Sequence, residues 1–318
     1  MKTTHTSARP KRSRTLAAPN LVVVGSVAQD ILHTAAASTG KVLGGSAIHF
    51  ANAASFFTTV GVVGVVGDDY PLDQLEFLRG RNVDLSGIAR VKGDSFLWEG
   101  RYTPDFLDRE TIRTELGVFA EFKPLLPEHY RKPKVLFLAA IEPRLQLDVL
   151  NQVDRPRLVA IDTFKLWIDV ARKEFLKVLK RADLFLCNDY EVQWLTGEHN
   201  LFKGAAALRK MGPKWLIVKK GEHGSFFSSG NGIFISCAYP VMHVVDPTGA
   251  GDAYAGGILG YLSRCRVISE KEVCRAMGWA SVIGSFYVEG FGPDGLKNRQ
   301  FSDLEKRYAH FQRLFEIP

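Results

Sequence analysis

Cysteine is scarce in this sequence. Cys187, Cys237, Cys265 and Cys274 are the four in 318 residues, with no CxxC pair and none at zinc-ligand spacing from a histidine. That excludes a disulfide framework and a structural zinc site, and leaves buried free thiols in a reducing, cytoplasmic setting as the expectation. No run of about 18 apolar residues occurs, so no membrane partner is expected. The string GxxxxGK[ST] is missing, and any nucleotide must be held without a Walker A loop. Acid is absent before residue 20, where Lys2, Arg9, Lys11, Arg12 and Arg14 stand alone. The formal charge is +7; setting those five aside leaves a body of about +2, near neutral. The high pI therefore describes a tail, and no nucleic-acid partner is expected from it. Residues 1–19 read as a disordered basic leader. Their Ser, Thr and Arg content also resembles a transit peptide, but without its amphipathicity, and the apolar core of a secretory signal is lacking.

What is present suits a sizeable core: 46% hydrophobic and 24% charged residues. Residues 20–318 read as one large α/β domain. Apolar β-branched runs at 21–27, 59–66, 134–139, 158–162, 184–188 and 215–220 predict buried strands. Helices are expected near 46–57, capped by Ser46, and near 70–81, 168–181, 189–196 and 202–211. That alternation predicts right-handed βαβ units, a doubly wound, mainly parallel sheet and helices on both faces. Residues 225–228 and 233–238 read as a hairpin, followed by helices near 249–263, 269–286 and 302–315. Segments 29–43 and 92–118 break the rhythm. Phe96–Tyr102 and Thr111–Leu116 alternate polar and apolar residues, as strands with one wet face do, and predict a small β-sheet lid.

The most informative stretch is Asp246-Pro247-Thr248-Gly249-Ala250-Gly251-Asp252, which follows a strand and opens an apolar helix. Gly249, Ala250 and Gly251 leave backbone N–H groups unobstructed at a helix mouth, where unpaired donors and partial positive charge hold a phosphate. A carboxylate beside an anion site repels the anion and needs a reason. Asp252 fits a general base that takes the proton of an alcohol as its oxygen attacks phosphorus, while the amides stabilise the phosphoryl oxygens.

This string resembles the C-terminal signature of the ribokinase (PfkB) family of carbohydrate and nucleoside kinases, and the resemblance runs from about residue 20 to 290. Gly25-Ser26-Val27-Ala28-Gln29-Asp30 is similar to the family's first strand and substrate-binding Asp, and Gly44-Gly45-Ser46-Ala47 to its di-glycine turn. Gly64-Val65-Val66-Gly67-Asp68-Asp69 is similar to its GxxGxD element, Asn188-Asp189-Tyr190-Glu191 to its NxxE motif, and Lys219-Lys220-Gly221-Glu222-His223-Gly224 to its nucleotide-binding turn. The resemblance implies an ATP-dependent kinase acting on a hydroxyl of a sugar or sugar-like substrate, with a nucleoside kinase of the same fold as the alternative. A catalytically silent binding or scaffold protein is the rival of another class.

Each motif implies a role. Asp30 at the carboxyl edge of the first strand would accept substrate hydroxyls. Gly44 and Gly45 would permit close approach to the substrate. Glu191 would hold Mg²⁺, through water. Asn188, Lys219, Gly221 and Gly224 would meet ATP, and a later small-residue run containing Ala280 and Gly284 would line adenine. Asp246 matches a position that contributes to K⁺ binding in many relatives. The lid implies a homodimer contact. Two places depart from the family on the substrate side: His49 stands where Asn is usual, and Ala28 replaces an Asn before Asp30. His49 would meet a sugar hydroxyl or a base, or else pack within its helix. Arg101 and Arg109 would read an acidic substrate, or else pair with Glu99, Asp108 and Glu110. Trp98, Tyr102 and Phe106 would stack on a base, or else fill the lid.

Overall fold

The computed structural model describes residues 18–106 and 108–314. Most of the basic leader thus lies outside the described residues. Thirteen strands form two sheets. They are β1 (Leu21–Val24), β2 (Ala28–His33), β3 (Val42–Gly44), β4 (Val60–Val66), β5 (Val83–Arg90), β6 (Phe96–Tyr102) and β7 (Arg109–Glu115), then β8 (Val135–Leu138), β9 (Leu158–Ile161), β10 (Leu184–Asn188), β11 (Trp215–Lys219), β12 (Ser225–Ser229) and β13 (Gly232–Ser236). The helices are α1 (Ser46–Ala54), α2 (Glu76–Arg79), α3 (Pro143–Leu150), α4 (Lys165–Val170), α5 (Arg172–Leu179), α6 (Asp189–Thr196), α7 (Leu201–Lys210), α8 (Ala250–Arg264), α9 (Glu270–Tyr287), α10 (Asp294–Lys297) and α11 (Phe301–Arg313).

The larger sheet runs β13-β12-β11-β10-β9-β8-β1-β4-β5. Its strands from β11 to β5 are parallel, and the β12–β13 hairpin adds two antiparallel partners. Strands such as Leu21–Val24 and Val135–Leu138 are buried along their whole length because helices cover both faces. One face packs on α1, α8 and α9, the other on α3 and α5–α7. From β1 the chain builds outward through β4 and β5, then crosses back to β8 on the other side. The β1/β8 boundary is therefore the topological switch point, where open sheets bind ligands at the carboxyl ends of their strands.

The smaller sheet, β3-β2-β6-β7, pairs β2 with β6 in parallel and places β3 and β7 antiparallel at its edges. Only three residues separate β1 from β2, so the small sheet projects directly from the switch point.

Glycines set the helix spacing that builds the site. A Cβ on Gly256 of α8 would stand 2.4 Å from the Phe50 carbonyl oxygen, and one on Gly260 2.9 Å from Ala54 Cα. Their absence lets α8 lie directly on α1. Phe50 of α1 in turn stacks on Phe137 of β8 with ring centroids 4.4 Å apart, a pair worth about 1 kcal/mol beyond its area burial.

Several expectations change. β5 went unread because Asp84, Ser86 and Gly87 dilute its pattern; it lies at an edge, where such residues are tolerated. α3 went unread because Pro143 looks like a breaker, yet it occupies the first helical turn, where its missing N–H costs nothing. Ser46 does not cap α1; Gly45, at φ 93°, is the N-cap, and Ser46 Oγ instead accepts the Ser26 N–H at 3.1 Å. Of the four thiols only Cys187 is buried, and Cys237 is exposed.

Candidate active site

The Gly-Ala-Gly turn sits at the mouth of α8. Gly249 is the helix N-cap with φ 74°, left-handed backbone that glycine adopts without penalty. No side chain caps this end; the Ala250 N–H donates to the Pro247 carbonyl at 3.1 Å, and the Gly251 and Asp252 N–H groups remain available to an anion. Asp246 braces the turn from below: its Oδ1 accepts the Thr248 N–H at 2.8 Å and its Oδ2 the Gly292 N–H at 3.1 Å. Burial pushes the Asp246 carboxyl above its ordinary range. Both Asp246 oxygens thus serve the backbone.

Asp252 stands in the first turn of α8, half-buried. Burial pushes its carboxyl up to about 6; His49 and Lys219 oppose the rise while Asp162 and Asp30 add to it. A base of that pKa is ionised at neutral pH yet accepts a proton readily.

On the acceptor side, Asp30 of β2 is 4% exposed and His49 of α1 is 2% exposed. His49 Nε2 lies 3.7 Å from Asp30 Oδ2, and its Nδ1 is hydrogen-bonded to the Tyr287 hydroxyl of α9. Burial works to lower the His49 pKa, but Asp30, Asp252 and Asp246 together raise it above its usual value. The imidazole also lies against the phosphate turn: a Cβ on Gly249 would stand 2.4 Å from its Cγ. Gly44 is required by Asp30 itself, whose carboxylate oxygen would be 2.3 Å from a Cβ there. His49 is therefore the element that joins the Asp30 side to the phosphate side, a role that spacing alone left open.

Lys219 ends β11 and pairs with Asp162, just past β9, at 2.7 Å. Glu191 and Asn188 form a reciprocal capping box on α6: Asn188 Oδ1 accepts the Glu191 N–H at 2.8 Å and Glu191 Oε2 accepts the Asn188 N–H at 2.9 Å. The Asn188 side-chain oxygen thus serves the helix. Burial, reinforced by Asp162, pushes the Glu191 carboxyl up to about 8.

Other expected residues fall elsewhere. Arg101 is exposed and faces Glu110 at 3.5 Å, a surface pair in place of a substrate contact. Arg109 lies over the Trp98 ring, 5.2 Å from its centroid. Ala280 is fully buried where α9 packs on Gly257 of α8, with its Cα 3.0 Å from where a Gly257 Cβ would be; it serves helix packing and has no surface for adenine. Gly284 is partly exposed on the same helix. Gly221 and Gly224 have φ of 53° and 82°, and a Cβ on Gly224 would stand 2.2 Å from the Ser236 oxygen, so Gly224 first serves the hairpin.

Sequence reasoning missed three contributors. Asp162 could have been found by the rule that found Asp30, a carboxylate at the carboxyl end of a strand. Tyr287 carries no local signal at all. Thr248 was quoted only as part of the motif, yet its Oγ1 donates to the Tyr102 hydroxyl at 3.0 Å and ties the small sheet to the phosphate turn.

This geometry has counterparts. Residues 150–297 match the pfkB family carbohydrate kinases. A cytidine kinase from Thermococcus kodakarensis is 29% identical over 257 residues, 79% of this chain and 91% of that protein. Ribokinase from Arabidopsis thaliana, solved with ribose and ATP, superposes with a TM-score of 0.75 at 20% identity over 92% of this chain and 99% of that one. A putative ribokinase II from E. coli, solved with ATP and Mg²⁺, gives 0.72 at 20% identity and the same coverage. The fold of the described chain and the sequence of its C-terminal half are those of the ribokinase-like (PfkB) kinases.

Proposed function

We propose that the protein transfers the γ-phosphoryl group of ATP to a hydroxyl on a sugar ring, with Asp252 as general base. The observation that carries this reading is the Asp252 carboxyl, raised to about 6, in the first turn of an uncapped helix whose N–H groups are open to an anion. Asp30, held by His49 and Tyr287, accepts hydrogen bonds from ring hydroxyls and presents the acceptor. Asp252 removes the proton of the attacking hydroxyl. The new O–P bond forms as the bond to the ADP oxygen breaks, and the amides of Gly251 and Asp252 stabilise the charge on the phosphoryl oxygens. Much of the rate comes from holding the two substrates in line.

Mg²⁺ bound with ATP supplies charge neutralisation on the phosphates. Glu191 fits it: its Oε2 accepts the Asn188 N–H at 2.9 Å, and its other carboxylate oxygen would hold the ion through water. Among the described residues no cluster of three ligands could hold a metal by itself, which suits an ion that keeps several waters and takes the rest of its shell from phosphate. Among the described residues no helix is long and apolar enough to cross a membrane.

A second reading narrows the acceptor to the ribose of a nucleoside, supported by likeness to the cytidine kinase over most of both chains. One experiment addresses both. Turnover is measured with ribose, fructose, inositol, adenosine and cytidine, for wild type and Asp252→Asn. At least one acceptor should be phosphorylated, and the variant should lose roughly 10²–10⁴-fold in turnover while ATP binding is largely kept. Equal turnover of the two proteins removes Asp252 as base. Phosphorylation of free sugars but no nucleoside removes the second reading.

A further inference from the structure

The Lys219–Asp162 pair is an ion pair that the architecture of the sheet does not require. Lys219 closes β11 and Asp162 follows β9, with β10 between them. Asp162 is 4% exposed and the Lys219 side chain 18%. Pairs withdrawn from water this far add little stability over apolar residues of the same volume, because desolvation offsets the attraction. Another reason for keeping them is needed.

The geometry supplies one. The Lys219 ammonium donates one hydrogen bond, to Asp162 Oδ2 at 2.7 Å. Its other two N–H donors have no acceptor among the described residues. Nζ lies 3.4 Å from where a Cβ on Gly251 would be, so the charge stands immediately beside the turn that receives the phosphoryl group. A Cβ at position 251 would make ordinary contact with that ammonium. Three carboxylates surround the ammonium: Asp162 past β9, Glu191 on α6 and Asp252 on α8. Burial works to lower the Lys219 pKa, but these neighbours hold it above the usual lysine range. The group is therefore a permanent cation with donors to spare at the reaction centre. In P-loop enzymes a lysine from the loop itself reaches the terminal phosphates; this sequence has no such loop.

Building on the phosphotransfer reading, we propose that Lys219 is a catalytic residue whose ammonium contacts the oxygens of the phosphoryl group during transfer, and that Asp162 is the positioning residue that aims it. The contact is made chiefly in the transition state, where negative charge on those oxygens passes between the two substrates beside the Gly249–Gly251 turn. Lys219 is more than a nucleotide-binding residue in this account, because simple ATP affinity would not depend on it.

The test uses the full chain and the variants Lys219→Met, Lys219→Arg and Asp162→Asn. Turnover is measured alongside binding of ADP alone and of ADP with aluminium fluoride, a mimic of the phosphoryl group in flight. Lys219→Met should lower turnover about 10²–10³-fold, as removal of an oxyanion donor does. It should weaken the ADP–aluminium fluoride complex by a similar factor, and change ADP affinity by no more than about threefold, because the contact is differential. Lys219→Arg, which keeps the charge, should recover part of both losses, and Asp162→Asn should fall between wild type and Lys219→Met. Should Lys219→Met fail to fold, the Arg variant and Asp162→Asn carry the comparison through the same two binding measurements. Turnover within about threefold of wild type, or equal weakening of both complexes, overturns the inference. If Asp252→Asn is impaired while Lys219→Met is not, the lysine assignment alone falls; if neither is impaired, the base assignment falls with it.

Discussion

Two carboxylates in the cleft hold protons more tightly in the folded chain than in water, Asp252 to about 6 and Glu191 to about 8. Burial raises both, so the folded state binds more protons than the unfolded one between their ordinary and raised values. Stability contributed by these groups is present at low pH and is lost as pH rises, through about 6 for Asp252 and about 8 for Glu191. The proposed catalysis runs the other way, since Asp252 as general base must be ionised to act. Glu191→Gln keeps the oxygen that accepts the Asn188 N–H and removes the charge. At pH 8 and without ligands it should raise the melting temperature by a few degrees, on the order of 1–3 kcal/mol. The gain should vanish toward pH 4. A melting temperature that is unchanged at pH 8 would refute the account. At this scale the sequence was legible where one residue declares itself by position. Asp252 follows a run of tiny residues, and Asp30, read as closing the first strand, lies instead within β2 of the small sheet. Tyr287, which reaches His49 from the last residue of α9, was not legible. Nothing local distinguishes it from a core aromatic, and the contact spans more than two hundred residues.

At the level of elements, a hydrogen bond from Thr248 to Tyr102 links β6 of the small sheet to the phosphate turn. A neutral bond of this kind contributes about 1 kcal/mol. Tyr102→Phe should therefore raise the acceptor KM about fivefold and increase ATP hydrolysis without acceptor, because the lid then excludes water less completely. Unchanged values for both would show that the bond plays no part in closure. The strands and most helices were legible because apolar period and run length suffice for buried parallel strands. β5 and α3 were not. The first is diluted by polar residues that only an edge strand tolerates, and the second opens on a proline that local reading takes for a stop. For Arg101 the sequence left two readings, an acidic substrate or a surface pair, and the exposed side chain faces Glu110. The bulge in this ribbon leaves Ile112 of β7 as the extra residue, while β6 keeps an unbroken register with β2 through Arg101.

For the whole molecule, the site residues discussed lie between Asp30 and Tyr287. The excess positive charge is concentrated in Lys2, Arg9, Lys11, Arg12 and Arg14. Removing residues 1–17 should leave turnover within about twofold of the full chain, as trimming a terminus without site residues does. A large loss on truncation would assign that segment a role in the reaction. The sheet order carries a further consequence. Because the chain finishes β1, β4 and β5 before crossing to β8, the residues proposed to meet the alcohol come from its first third: Asp30, Gly44, Gly45 and His49. Those that handle the leaving group and the proton come later, from Asp162 onward. His49, leaning on Gly249, is where the two sets touch. A lineage can therefore exchange its acceptor by altering about a hundred early codons while the donor machinery is inherited intact.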